Sequence, residues 1–368
     1  MRKITAYVKG DRTTPEYYRV YQYLDHIDDV RVTYRLMFSP AAYDRFMPVS
    51  RQPLPVKVYM YLMSYLRMLL ALCCDCLRRP DCIVIHKRII SHFMPLSFRC
   101  MLRILARRGT KIYWDIDDNI LSTGEVSQSA FDMMCALSSK IVVTHEYLAS
   151  FVRQPYQDKV ALLPTTDGDL LPYFGDESIR ARRLDGLRKE VCLIWLGTSG
   201  NLTFVEDVLP QLEEAARQLR LRDNRRLRLK VVCNEPLQAA TEWLQVENVR
   251  WSHDGAIREL LQSHIGLMPL RENAFTQGKG GFKLVQYLAS GLPGIGSNVG
   301  FNRQIIDARC GCLVDVGHPE EWVAAILDIS DPDVWAGKSL SAYRKWEQKF
   351  SYADNLAFWK GMLKAEKS

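Results

Sequence analysis

Between Pro269 and Gly300 the chain reads PLRENAFTQGKGGFKLVQYLASGLPGIGSNVG, and this alternation commits it to an α/β fold. The stretch predicts a glycine-rich turn, a short helix from about Gly281 to Ser290, a stop at Gly291 and a buried strand around Ile295. Steps of three and four put Lys283, Gln286 and Ser290 on one helix face, and Leu284, Val285, Leu288 and Ala289 on the other. The second face is core; the first is expected to be free for a ligand.

Charge at the start of this helix narrows the reading. Lys279 and Lys283 stand at the positive end of the helix dipole, which costs about 0.3 to 1 kcal/mol per cation unless a negative group joins them. A phosphate reverses the sign of that cost. Gly278, Gly280 and Gly281 remove the Cβ atoms that would hold a ligand away from the backbone N–H groups. Taken alone, such a loop reads equally as a flexible turn with two solvated lysines.

The longer run GKGGFKLVQYLASGLPGIGSNVGFNRQII resembles the donor-site segment of bacterial group 1 (family 4) glycosyltransferases, which are retaining enzymes of GT-B fold. Many members carry a Glu, seven residues and a second Glu, then an Ala-rich helix and a Gly-x-Pro-x-x-x-Ser strand. Gly278 and Gln286 occupy the two glutamate positions here, and the chain is similar to the subgroup with GK…FK…QYLA at these places. The resemblance implies that Gln286 holds the nucleotide ribose through neutral hydrogen bonds, and that the glutamate contacting the donor sugar has no counterpart. It further implies two Rossmann-like domains facing across a cleft, with a C-terminal helix crossing back to the first. The implied activity is transfer of a sugar from a nucleoside diphosphate sugar to a glycan or lipid-linked acceptor in bacterial surface polysaccharide synthesis. No cofactor and no metal are expected. Two rivals stand beside it: a nucleotide-sugar epimerase on the same fold, and a non-catalytic scaffold subunit.

With 368 residues, 48% of them hydrophobic, the chain is long enough for two cores. Its formal charge of +7 suits nucleotide sugars or a phospholipid surface, and also an ordinary solvated surface. No basic run is interleaved with aromatic residues, which argues against nucleic acid. The ten cysteines lie mostly in apolar patterns without the paired C-x-x-C spacing of a zinc site, so reduced thiols in the cytoplasm are expected. MRKITAYVKGDR has no apolar core after its charged start and does not read as a signal peptide.

In chain order, Ile4 to Val8 predicts a strand and Pro15 to Leu24 a helix, joined by KGDRTT where an open α/β sheet receives ligands. Gly10 and Arg19 are expected on the acceptor side of that crevice, an exposed helical arginine being the other reading. Residues 51 to 79 form the most apolar stretch, yet Lys57, Ser64, Arg67, Ala71, Asp75 and Arg78 project within a narrow arc, which makes it an amphipathic helix. Arg67 near its centre would cost about 2.5 to 3.5 kcal/mol inside a bilayer. Two placements remain for its wide apolar face: against the sheet, or in the interface of the inner membrane with basic residues on the headgroups.

The strand DCIVIHKRII ends near Arg88, a further acceptor-side candidate, and a basic helix spans Leu96 to Arg108. In KIYWDIDDNIL, alternation puts Asp115 and Asp117 on one face and Asp118 at the start of the loop. The spacing resembles the D-x-D of metal-dependent glycosyltransferases. It reads otherwise as carboxylates that bind acceptor hydroxyls or stabilise an oxocarbenium charge, and Asp115, Asp117 and Lys283 are taken as the catalytic candidates. A charged run from Gly175 to Glu190 marks the domain boundary. Residues 1–172 are expected to form the first domain, joined by a helix over 345–368, and residues 188–340 the second. The second opens on a strand ending in Gly197, Thr198 and Ser199, a turn suited to the donor phosphates.

Overall fold

Runs rich in β-branched residues, such as CIVIH and KIVV, are buried on both faces and separated by helices, the sequence signature of parallel sheets. The computed structural model describes residues 1–12, 15–47, 49–90 and 94–364. These form two compact units: Met1–Thr165 joined by the segment from Ala353 onward, and Thr166–Tyr352. The division falls at Thr165, ahead of the expected boundary at 172, because Thr166 and Asp167 are tied into the second unit through Trp346 and Gln286.

The first unit holds strands β1 (Arg2–Val8), β2 (Val30–Leu36), β3 (Cys82–His86), β4 (Lys111–Ile116), β5 (Lys140–Val143) and β6 (Val160–Leu162). They form one parallel sheet in the order β2-β1-β3-β4-β5-β6, so the chain reverses its winding between β1 and β3. Ile83, Ile85, Trp114 and Ile141 lie in its core against the helices. The expected helix from Pro15 is broken into a 3-10 turn, Pro15–Tyr18, and a short helix, Tyr21–Leu24. The break at Arg19 and Val20 turns the arginine inward, as described below. Thr13 and Thr14 of the KGDRTT connection lie outside the described residues.

Of the two placements open to its apolar face, the helix Leu54–Arg78 takes the first only in part: Tyr65, Leu69 and Cys76 are partly buried against the first core, while Tyr59, Leu62, Leu66 and Leu70 are exposed. Part of the polar arc also turns inward, whereas Arg67 and Arg78 stay exposed. Ser64, Ala71 and Asp75 are buried together with Met60, Met68 and Leu72. Asp75 tolerates burial because Tyr7 Oη donates to it at 2.7 Å and Arg35 meets it at 2.7 Å. Arg67 Nε donates to the Leu36 carbonyl at 3.3 Å.

The second unit repeats the plan with β7 (Glu190–Leu196), β8 (Arg226–Cys233), β9 (Leu244–Arg250), β10 (Ile265–Met268), β11 (Gly294–Ser297) and β12 (Gly311–Val314). The parallel order β12-β11-β10-β7-β8-β9 reverses between β7 and β10. Ligands of doubly wound sheets bind outside the carboxyl ends of the strands at such a reversal. The helix Phe282–Ala289 starts just beyond β10.

The last helix, Tyr352–Lys364, packs on the first sheet. Asn355 Nδ2 donates to the Pro164 carbonyl at 2.7 Å, Tyr113 Oη to Met362 at 3.0 Å and Arg2 to Leu363 at 2.8 Å, with Trp359 and Leu363 buried beneath. Of the segment 345–368 expected to join the first unit, residues 345 to 352 stay with the second, anchored by the buried Trp346.

Candidate functional site

At the carboxyl end of β7 the chain turns at Gly197, where a Cβ would fall 2.5 Å from the Trp195 ring and 3.2 Å from Lys283 Cε. The missing side chain therefore lets Lys283 come down beside the turn. Its ammonium lies 5.5 Å from the centre of the Trp195 ring. Ser199 N–H donates to Asn234 Oδ1 at 3.0 Å and Asn234 Nδ2 returns a bond to Ser199 Oγ at 3.2 Å. This pair fixes the turn to the end of β8.

The second wall is the segment after β10. Gly281 caps the 282–289 helix with φ of 61° and itself brings no side chain to that terminus. A Cβ at Gly281 would meet Ile305 Cδ1 at 2.1 Å, so the position requires glycine on both counts. Lys279 Nζ donates to Asn201 Oδ1 at 2.9 Å and stands 4.3 Å from the Phe275 ring centre. Thr198 accepts at its hydroxyl from the same Asn201, at 3.0 Å. Lys279, Lys283, Gly280, Gly281, Gly197, Thr198 and Ser199 are thus gathered where β7 and β10 end. A helix N-terminus with two ammonium groups beside it is suited to a phosphate.

The helix face expected to be free is free only at its start. Gln286 is 6% exposed and Ser290 is buried, because the Thr166–Asp167 segment and Arg183 cover that side. Gln286 Nε2 donates to Asp167 Oδ2 at 2.8 Å. Burial pushes the Asp167 carboxyl up and neighbouring Asp169 adds to this, while the bond from Gln286 pulls it down; the balance is about 6. Asp169 in turn lies 2.9 Å from His253 Nε2, a contact that raises the imidazole to about 9.

In the first unit the structure corrects the reading of Asp115 and Arg19. Asp115 is 0% exposed and Arg19 1%, so neither reaches an acceptor. The guanidinium grips both carboxylate oxygens and also donates to the Leu163 carbonyl at 2.7 Å, while His86 Nδ1 lies 2.8 Å from Asp115 Oδ2. Burial alone would raise the Asp115 carboxyl, but Arg19 and His86 overturn it and bring it to about 2. This is a permanently ionised structural pair. The Gly10 carbonyl, likewise, accepts from Tyr21 Oη at 2.8 Å. Arg88 meets the Glu125 carboxylate. Asp117 and Asp118 flank Lys87, whose ammonium lies 2.8 Å from the first and 2.7 Å from the second. Burial disfavours that ammonium, yet the two carboxylates hold it charged above its ordinary range. Lys87 adopts φ of 56°, a strained backbone for a non-glycine residue.

Asn201 and Asp167 were not among the expected site residues. Asn201 carries a readable signal, since it follows the Gly197 turn directly, whereas the Asp167 partnership joins positions 119 residues apart and has none.

Residues 194–331 match the sequence model of the family described as glycosyl transferases group 1. A search of curated proteins finds no match. Among solved structures the chain is similar to HepE of Anabaena in complex with UDP, with 12% identity and a TM-score of 0.64 over 99% of this chain and 100% of that one. It is similar to sucrose-phosphate synthase from Thermosynechococcus elongatus, with 12% identity and a TM-score of 0.63 over 99% and 98%. It also resembles UDP-GlcNAc 2-epimerase from Neisseria meningitidis bound to UDP-GlcNAc, at 12% identity and a TM-score of 0.51 over 95% and 99%. With these likenesses the two parallel six-stranded sheets are those of the two-domain, Rossmann-like GT-B fold.

Proposed function

We propose that the chain is a glycosyltransferase that moves a sugar from a nucleoside diphosphate sugar onto an acceptor hydroxyl. The carrying observation is the convergence of Lys279, Lys283 and the Gly197 turn on the start of the 282–289 helix, at the winding reversal of the second sheet. As the bond from the anomeric carbon to the diphosphate breaks, negative charge collects on the leaving group. Two ammonium groups and the helix terminus stabilise that charge more in the transition state than before it. The family match supports this reading because it spans all of these residues. Neighbours of the same fold solved with UDP and UDP-GlcNAc support the nucleoside diphosphate class of donor.

The ribose role of Gln286 rests on the resemblance alone, its amide being covered and donating from Nε2 to Asp167. With Asp115 withdrawn, half-buried Asp117 at the end of β4 is the carboxylate assigned to the acceptor, a glycan or lipid-linked chain in bacterial surface polysaccharide synthesis. Retention at the anomeric carbon, and membership of the subgroup with GK…FK…QYLA, rest on the resemblance alone. The reaction so written uses no metal or cofactor, its cations being Lys279 and Lys283.

Calorimetric titration with UDP, GDP, ADP and CMP tests the donor site. Selective micromolar binding is expected, and a Lys279→Ala, Lys283→Ala double variant should lose it; assays with the matching sugar donors then test transfer. A folded protein that binds none of the four would sink the reading in favour of a scaffold subunit.

A further inference from the structure

The sequence CCDC, residues 73 to 76, falls in the last turns of the helix Leu54–Arg78. Its first and last cysteines are three residues apart, the spacing that sets two side chains next to each other on a helix surface. Asp75 between them is turned to the protein, where Tyr7 and Arg35 take up its charge. The helix Leu96–Arg107 packs alongside: Tyr65 stacks on Phe98 with ring centres 5.4 Å apart, and Arg108 donates to the Cys76 carbonyl at 3.1 Å. This packing presents Met101 to both thiols. Cys73 Sγ lies 3.7 Å from Met101 Sδ, and Cys76 Sγ lies 3.9 Å from the Met101 carbonyl oxygen. Cys73 is exposed and Cys76 half-buried, so solvent reaches the group.

Chemistry selects the ligand. Two thiols and a thioether are soft donors, which suit Cu(I) and not the hard cations that take carboxylate and water. A first-row metal bonds sulfur at about 2.3 Å, so sulfurs sharing one such metal stand roughly 3.8 to 4 Å apart. The sulfurs of Cys73 and Met101 are already at such a separation. Structural zinc calls for four ligands drawn from Cys, His and carboxylate. Among the described residues no three of His, Cys, Asp and Glu gather where a metal could sit, so zinc has no donor set here. Cu(I) is satisfied by two or three sulfurs.

We propose that Cys73, Cys76 and Met101 form a Cu(I) site that clasps these two helices of the first unit together. On binding, both thiols lose their protons to solvent, two copper–thiolate bonds and one copper–thioether bond form, and the copper keeps its oxidation state. A rotamer change at Cys76 swings its sulfur from the Met101 carbonyl to the metal. The inference goes beyond sugar transfer and does not rest on it.

Anaerobic titration of the full chain with Cu(I), in competition with the coloured chelator bathocuproine disulfonate, tests it. One equivalent is expected to pass to the protein, to bring an ultraviolet thiolate-to-copper charge-transfer band, and to raise the melting temperature. Cys73→Ser and Cys76→Ser should each lose the band and the gain in melting temperature, and Met101→Leu should give up its copper at a lower chelator concentration than the parent. Cys74→Ser and Cys100→Ser should behave as the parent. Without copper, all five variants should keep the parent's circular dichroism. Nucleotide titration should be the same for all of them, which separates failure here from failure of the donor site. The proposal is overturned if the parent surrenders all its copper to the chelator, or if any of the Cys73, Cys76 and Met101 variants holds copper as the parent does. It is equally overturned if Cys74→Ser or Cys100→Ser loses the metal.

Discussion

Asp167 is a carboxyl group on which burial and hydrogen bonding act in opposite directions. Burial wins, so the folded protein holds this proton up to about pH 6 while the unfolded chain releases it near 3.8. Stability must therefore fall as pH rises from 4 to above 6, by at most about 3 kcal/mol, and then level off. His253 works in the same direction at higher pH: its folded value of about 9 makes its contribution complete below pH 6.5 and lost as pH rises through 9. Urea unfolding from pH 4 to 6.5 keeps it out of the window. The stability difference between wild type and Asp167→Asn should drift against the wild type over that range, and a flat difference would reject the raised carboxyl. The same scale shows where sequence reasoning ended. Alternation put Asp115 and Asp117 on one face, and both do approach His86. What alternation could not tell is that a break near Val20 would send Arg19 in to neutralise one of them.

Helices and turns were legible where local chemistry sets them. The 282–289 helix lies within the bounds given by its glycines, and Gly281 is there for two separable reasons, backbone φ and the contact with Ile305. Gly281→Ala should cost about 2 to 4 kcal/mol in urea unfolding, combining left-handed strain with overpacking. In a double-mutant cycle with Ile305→Ala the steric part should be recovered and the backbone part should persist. Full recovery would show that φ carries no strain. The helix Leu54–Arg78 was legible in extent but not in orientation. Periodicity identifies two faces, whereas the choice of the inward one depended on Tyr7 and Arg35, which lie on strands far away in sequence and supply partners for Asp75. Hydrophobicity alone does not predict that Ser64 and Asp75 go inward beside Met68 and Leu72 while Leu66 and Leu70 stay outside.

For the molecule as a whole, the chain returns at its end to the unit in which it began. Cutting after Tyr352 would leave every donor candidate in place, since Gly197, Lys279, Lys283 and Gln286 all belong to Thr166–Tyr352. It would strip the first sheet of Trp359 and Leu363, both buried, and of the bonds from Asn355, Tyr113 and Arg2. Losing two large apolar side chains from a core costs several kcal/mol, on the order of 2 to 5 each. Calorimetry of the truncated chain should therefore show the first unit melting earlier, with the transition of the second unmoved. Nucleotide affinity should survive below the first transition, because the residues that would hold the diphosphate come from the second unit alone. If truncation abolished nucleotide binding while the second unit stayed folded, groups on the first unit would have to share in holding the donor.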